Sequence, residues 1–183
     1  MENVLSTIRQ YDLRAFLKLY DLGLNNQFIS STYLFFSRYG IVIFFLSFIY
    51  LIWVRRINAL LCSMFSMLLA GTVDLIIYIL WKRPRPFVAH ADLINQVLDQ
   101  SKVDLSSFPS SHTYIAFAVA TSIFLYGHKK LGSFLFIIAI IVAVSRVGAG
   151  LHYPSDVIGG AMLGIFSGIL SYLIVQKAEK YWE

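Results

Sequence analysis

Residues 57–86 read INALLCSMFSMLLAGTVDLIIYILWKRPRP, an apolar run that stops abruptly on the basic island Lys82-Arg83-Pro84-Arg85-Pro86. A helix needs roughly twenty apolar residues to cross a bilayer, and Ile57 to Leu80 supplies them with Asp74 as the one charged side chain. Two further polar islands follow the same plan. Pro109-Ser110-Ser111-His112 opens an apolar run; Ser145-Arg146 closes another, with His152 and Asp156 leading into the last. Because each island abuts a long apolar stretch, all three are expected to meet at one membrane face.

Composition agrees with that reading. The 183 residues are 58% hydrophobic, 16% aromatic and only 14% charged, with a mean hydropathy of +0.70, which excludes an ordinary soluble domain of this size. The expected fold is all-α: a polytopic membrane bundle of five to six transmembrane helices forming one domain over residues 1–183. The single cysteine, Cys62, lies within an apolar stretch, which excludes an intrachain disulfide and leaves any metal to other ligands. Neither a metal nor a cofactor is expected. The net charge of +5 resides in short loops rather than along one soluble face, so anionic lipid, and not nucleic acid, is the expected partner. No cleavable signal peptide is evident, since Glu2, Arg9, Asp12 and Arg14 precede any apolar core of sufficient length.

Five segments approach spanning length: about Tyr33–Val54, Ile57–Leu80, Thr113–Tyr126, Leu131–Ala149 and Val157–Val175. Arg55-Arg56, His128-Lys129-Lys130, and Lys177 with Lys180 all fall on one side of these spans, which the positive-inside rule makes cytoplasmic. The three polar islands then face the external side. There Lys82, Arg83 and Arg85 depart from the charge rule, as a phosphate ligand would explain. Residues 81–111 read as an external loop, with a short helix near Ala91–Gln100. The third segment has fourteen residues, which at ~1.5 Å each cover about 21 Å, so His112 is expected below the headgroups. Residues 1–25 place Leu5, Ile8, Leu13, Phe16, Leu17 and Tyr20 near helical spacing among Arg9, Asp12, Arg14 and Lys18. That pattern predicts an amphipathic interfacial helix, a sixth span being costly at Arg14 and Lys18.

The islands carry the residue types that phosphoryl transfer through a histidine requires, namely cationic clamps, a nucleophile and an orienting acid. Ser110 suits the N-cap of a helix whose first N–H groups, at Ser111 and His112, remain free for an anion. Pro154 suits the first turn of the last helix, which puts Asp156 where its carboxylate reaches back to one ring nitrogen of His152, leaving the other to attack phosphorus. Taken singly, each residue has a plainer reading: histidines as caps, Arg85 and Arg146 as headgroup anchors, Arg38 as a snorkelling side chain. Asp74 reads equally as a functional group and as a hydrogen-bond partner inside the bundle.

Arg85-Pro86, Pro109-Ser110-Ser111-His112, and Ser145-Arg146 with five residues to His152 and three more to Asp156 resemble the type 2 phosphatidic acid phosphatase superfamily, over about Leu80 to the last helix. The run Pro84-Arg85-Pro86-Phe87-Val88-Ala89-His90 looks like its bacitracin-resistance type, the undecaprenyl-diphosphate phosphatases of cell-wall lipid-carrier recycling. The resemblance implies His152 as nucleophile, His112 as the acid protonating the leaving oxygen, and Asp156 as the partner of His152. It implies Arg85, Arg146, Ser110 and Ser111 as phosphate holders, no metal, and a polyprenyl diphosphate or another phosphorylated lipid as substrate. One departure is Tyr78, where the family often carries a Lys seven residues before Arg85; that contact is then either lost or supplied by Lys82 or Arg83. Family members acting on lipid A 1-phosphate, phosphatidylglycerol phosphate or phosphatidate share the machinery. A lipid transporter, suggested by Asp74 and the glycines of the last span, would need neither two histidines nor an acid at these spacings. Transfer to an acceptor other than water stays open.

The sidedness is testable. Cysteines introduced in residues 91–104 are expected to react with an impermeant thiol reagent in intact cells, and cysteines at Lys129 or Lys180 are not; the reverse pattern would place the islands in the cytoplasm.

Overall fold

The structure is a computed structural model and describes residues 2–92, 94 and 106–182. The chain forms α1 (Glu2–Leu24), α2 (Gln27–Trp53), α3 (Ile57–Leu80), a one-turn α4 (Pro86–Ala89), α5 (Ser111–Leu125), α6 (Lys129–Gly148) and α7 (Pro154–Trp182). No strand occurs among the described residues; Pro84 and Ser106 form an isolated bridge. Helices α2, α3, α6 and α7 are each long and apolar enough to cross a membrane, and α5 is a shorter apolar helix between them.

Local chemistry sets the ends. The Asn26 side chain accepts from the N–H groups of Phe28 at 2.9 Å and Ile29 at 3.2 Å, starting α2 ahead of the expected Tyr33. Prolines begin α4 and α7, where a missing N–H costs no helical bond. Helix α7 continues past the expected Val175 to Trp182, and the Tyr126 hydroxyl bonds its Glu179 at 3.2 Å. Within residues 81–111, α4 was not foreseen. The helix expected near Ala91–Gln100 falls largely outside the described residues.

The short α5 is the axis of the bundle. Ten of its fifteen residues, from Thr113 to Ile123, are buried, and α3, α6 and α7 pack around it. A helix wrapped by protein need not match the bilayer, which explains its length. Against α7 the approach is backbone to backbone: a Cβ on Gly160 would stand 2.8 Å from the Ser110 carbonyl, and one on Gly168 would stand 2.6 Å from Thr121 Cβ. Gly164 is tighter still, facing the Tyr114 carbonyl and the Ala118 N–H. This is the small-residue contact that lets membrane helices attract by van der Waals packing. The outer surfaces of α2, α3 and α7 leave Phe45, Ile49, Leu68, Leu75 and Phe166 exposed, as lipid-facing helices do.

Helix α1 is amphipathic as its pattern predicts. Phe16 and Tyr20 are buried in the core with Leu13 and Leu17 packed beside them, while Arg14 and Lys18 are exposed; the side chains of Leu5 and Ile8 lie outside the described set. Phe16 meets Tyr153 at a ring separation of 5.8 Å, so α1 rests on the turn between α6 and α7.

Gly164→Ala is expected to destabilise the protein by about 1–3 kcal/mol, the usual cost of overpacking, measured as a lower unfolding midpoint in detergent. Met162→Ala, on the exposed face of the same helix, is expected to leave the midpoint nearly unchanged.

Candidate active site

Asp156, in the first turn of α7, is the most heavily tied side chain in the region. Its Oδ2 accepts from the Ser107 hydroxyl at 2.5 Å and from the Tyr153 N–H at 2.8 Å, and its Oδ1 accepts from Arg83 Nη1 at 2.6 Å. Its backbone carbonyl takes the Ser110 N–H at 3.1 Å. The carboxylate thus joins the loop before α5, the turn before α7 and the Arg-Pro island.

Gly150, at φ 79, turns the chain out of α6 and delivers His152 into full burial, 1% exposed. The expected direct bond from Asp156 to the ring is absent: Oδ2 lies 3.7 Å from Nδ1, beyond hydrogen-bond range. Nδ1 instead contacts the Ser107 carbonyl at 2.8 Å. A carbonyl only accepts, so Nδ1 carries the proton and the neutral ring presents its lone pair at Nε2. Asp156 acts on that arrangement one residue removed, by holding Ser107 through its hydroxyl. Burial pushes the imidazole down to about 3; Arg146 and Arg85 press the same way, and Asp156 opposes them. The ring is therefore neutral at physiological pH.

Nε2 faces two guanidinium groups. Arg85 Nη1 lies 2.9 Å away and also donates to the Leu151 carbonyl at 3.1 Å. Arg146 Nη2 lies 3.3 Å away, and its Nη1 donates to the Ser37 carbonyl and hydroxyl at 3.1 and 3.2 Å. Both arginines are buried, at 6% and 7% exposure. Arg146 Nε is buried with no acceptor among the described residues. Two buried cations around one neutral nitrogen make a centre for an anion. Among the described residues no three metal-binding acids, cysteines or histidines cluster.

The Pro-Ser-Ser-His island closes the site. Ser110 is fully buried at the N-cap of α5, but its hydroxyl caps no N–H: it accepts from Thr113 Oγ1 at 3.1 Å. Its carbonyl accepts from the N–H groups of Thr113 and Tyr114, so the N–H groups of Ser111 and His112 are the helix's outermost donors. His112 is within electrostatic reach of Arg146, His152 and Arg85.

Arg85, Arg146, His152 and Asp156 therefore converge, His112 lies within electrostatic reach of them, and Ser110 and Ser111 stand at the start of its helix, while Lys82 stands apart. That side chain is exposed, its ammonium 4.7 Å from the Tyr78 ring centroid, and it lines a cavity of about 680 Å³ with Arg9, Arg83, His90 and Trp81. Arg83 does not substitute for the missing lysine, since its guanidinium is spent on Asp12 and Asp156. Asp74 accepts from the Tyr114 hydroxyl at 3.2 Å, a bond inside the bundle. Sequence reasoning missed Ser107, Ser37, Asp12 and Ser155. Ser107 carried the nearest thing to a signal, being three residues before Ser110 in a serine-rich turn.

Residues 59–180 match the family model described as the PAP2 superfamily. The chain is 32% identical over 165 residues to the undecaprenyl-diphosphatase BcrC of Bacillus subtilis, covering 86% of this chain and 80% of that protein. It is 28% identical over 173 residues to the bacitracin transport permease protein BcrC of Bacillus licheniformis, covering 92% and 82%. Among solved structures, that of Aquifex aeolicus LpxE superposes with a TM-score of 0.65 at 25% identity, covering 85% of this chain and 93% of that one. With its spacing of arginines, histidines and acid intact and the family match running from α3 through α7, the chain belongs to the PAP2 superfamily.

Proposed function

We propose that this multi-pass membrane protein hydrolyses undecaprenyl diphosphate to undecaprenyl phosphate on the outer face of the cell membrane, through a phosphohistidine at His152. The carrying observation is His152 itself: Nδ1 fixed on the Ser107 carbonyl and Nε2 held between Arg85 and Arg146. The terminal phosphate sits between the two guanidinium groups and over the N–H groups of Ser111 and His112, with Ser110 and Ser111 completing the cradle. Nε2 forms a bond to the terminal phosphorus as its bond to the bridging oxygen breaks, and His112, made cationic beside the bound anion, gives its proton to that oxygen, which leaves on undecaprenyl phosphate. His112 then takes a proton from water, the water oxygen attacks phosphorus, the N–P bond breaks and inorganic phosphate leaves. The arginines stabilise charge that grows on the phosphoryl oxygens in both steps. Asp156, through Ser107, keeps the ring in the attacking tautomer.

Two observations favour a diphosphate lipid over another phosphorylated envelope lipid. Relatives named for undecaprenyl diphosphate and for bacitracin align over most of this chain. Lys82 adds a third cation at the outer end of α3, its ammonium against Tyr78, the position where the first motif lacks its lysine. A diphosphate carries the extra charge to use it, each charge-assisted contact contributing about 1.5–3 kcal/mol. The basic loops at the opposite end of the spans support an external site.

His152→Ala is expected to abolish phosphate release, and wild-type protein trapped during turnover without acid is expected to carry phosphohistidine. Near-normal turnover by His152→Ala would end the proposal.

For the substrate, kcat/KM is expected to be highest for the polyprenyl diphosphate in a panel with phosphatidate and phosphatidylglycerol phosphate, assayed with chelator present. Lys82→Ala is expected to raise KM for the diphosphate more than for phosphatidate. A clear preference for either phospholipid would assign a different substrate to the same machinery.

A further inference from the structure

Helix α1 lies outside the segment that matches the family model, which begins at residue 59, yet one of its side chains reaches the site. The Asp12 carboxylate is 8% exposed. Its Oδ1 accepts from the Ser155 N–H at 2.9 Å, and its Oδ2 accepts from the Ser155 hydroxyl and from Arg83 Nη2, each at 2.6 Å. Arg83 Nη1 donates in turn to Ser155 Oγ and to Asp156 Oδ1, both at 2.6 Å. The guanidinium lies 4.2 Å from the Tyr153 ring centroid, so the aromatic face fixes its plane. The Arg83 carbonyl also accepts from the Ser107 N–H at 2.7 Å. Continuous bonds therefore run from Asp12 through Arg83 and Asp156 to Ser107, and from the Ser107 carbonyl to Nδ1 of His152.

We propose that Asp12 is a positioning residue: it holds the outer half of the Arg83 fork so that the inner half keeps Asp156 and Ser107 aligned on the nucleophile. This rests on the reading of His152 as the phosphoryl acceptor. The charge arithmetic supports it. Arg83 stands between two carboxylates, so the assembly has one net negative charge set against Arg85 and Arg146. Without Asp12, one arm of a partly buried guanidinium loses its ionic partner, and both arms compete for Asp156. The carboxylate then shifts off the Ser107 hydroxyl, and the carbonyl that orients the ring shifts with it. Sub-ångström misplacement of a reacting group is enough to cost catalysis heavily. The hydrogen bonds that Asp12 accepts come from Arg83 and Ser155, so binding is expected to be spared.

A plainer role would be a pin that docks α1 and caps the start of α7. The two are separable, because Asn at position 12 keeps an acceptor for the Ser155 N–H and loses the ionic partner of Arg83. The experiment compares Asp12→Asn, Asp12→Glu, Arg83→Gln, the Asp12→Asn/Arg83→Gln double variant and His152→Ala as purified full-length proteins. Rates are normalised to folded protein, quantified by gel filtration and thermal unfolding in the same detergent. Asp12→Asn is expected to lower kcat and the single-turnover rate of phosphoenzyme formation roughly ten- to a hundredfold, with KM little changed. Asp12→Glu is expected to recover part of the loss, and the double variant to be no slower than Arg83→Gln alone, as residues acting in one chain behave. Wild-type kcat per folded molecule in Asp12→Asn, or additive losses in the double variant, would overturn the assignment. An active His152→Ala would instead overturn the phosphohistidine reading; an inactive His152→Ala beside a fully active Asp12→Asn would overturn only the role of Asp12.

Discussion

Burying the Asp156 carboxylate completely is the constraint around which one end of this bundle is built. An ionised carboxylate out of contact with water is tolerable only when its lone pairs are filled. The fold fills them from separate places: the Ser107 hydroxyl, the Tyr153 N–H and the Arg83 guanidinium. Meeting that demand draws the Arg-Pro segment, the serine-rich turn and the start of α7 together. The positions of His152 and of the α5 N-terminus follow from it. Site geometry and local stability are thus one requirement, which is why the region has no slack between its motifs.

The two buried arginines pose the opposite problem. Arg85 and Arg146 lie within reach of one another and of a neutral ring, and Asp156 gives its Oδ1 to Arg83 instead. Their forks donate to the carbonyls of Leu151 and Ser37, and both approach Nε2. Positive charge so concentrated in a buried place is energetically costly. An anion with several oxygens relieves that cost on arrival.

Much of this was legible in the sequence, for reasons that differ by element. The spans were legible because twenty-residue apolar runs have few other readings, and the three islands because polar residues at the ends of such runs demand explanation. The fixed spacing Arg146–His152–Asp156 carries its geometry within one turn between two helices. What stayed hidden depends on contacts distant in sequence. Ser107 is one serine among several in a polar loop, and its backbone carbonyl, which orients His152, has no sequence signature at all. Asp12 looked like one of the charges that make α1 amphipathic, and only its place against Ser155 and Arg83 sets it apart. The shortness of α5 was visible, whereas its cause, complete enclosure by neighbouring helices, was not. Lys82 was grouped with Arg83 and Arg85 by adjacency, but three successive cations leaving a helix end point in different directions, and each finds a different partner.

The enclosure of α5 has a kinetic consequence. Because α5 is short and sunk among its neighbours while α2 and α3 present apolar side chains outward, a phosphorylated lipid bound there would keep its chain dissolved in the bilayer. The protein then sees its substrate at a two-dimensional density, and the governing variable is mole fraction in the membrane rather than bulk concentration. Inert detergent or lipid added at constant total substrate slows such an encounter by surface dilution alone.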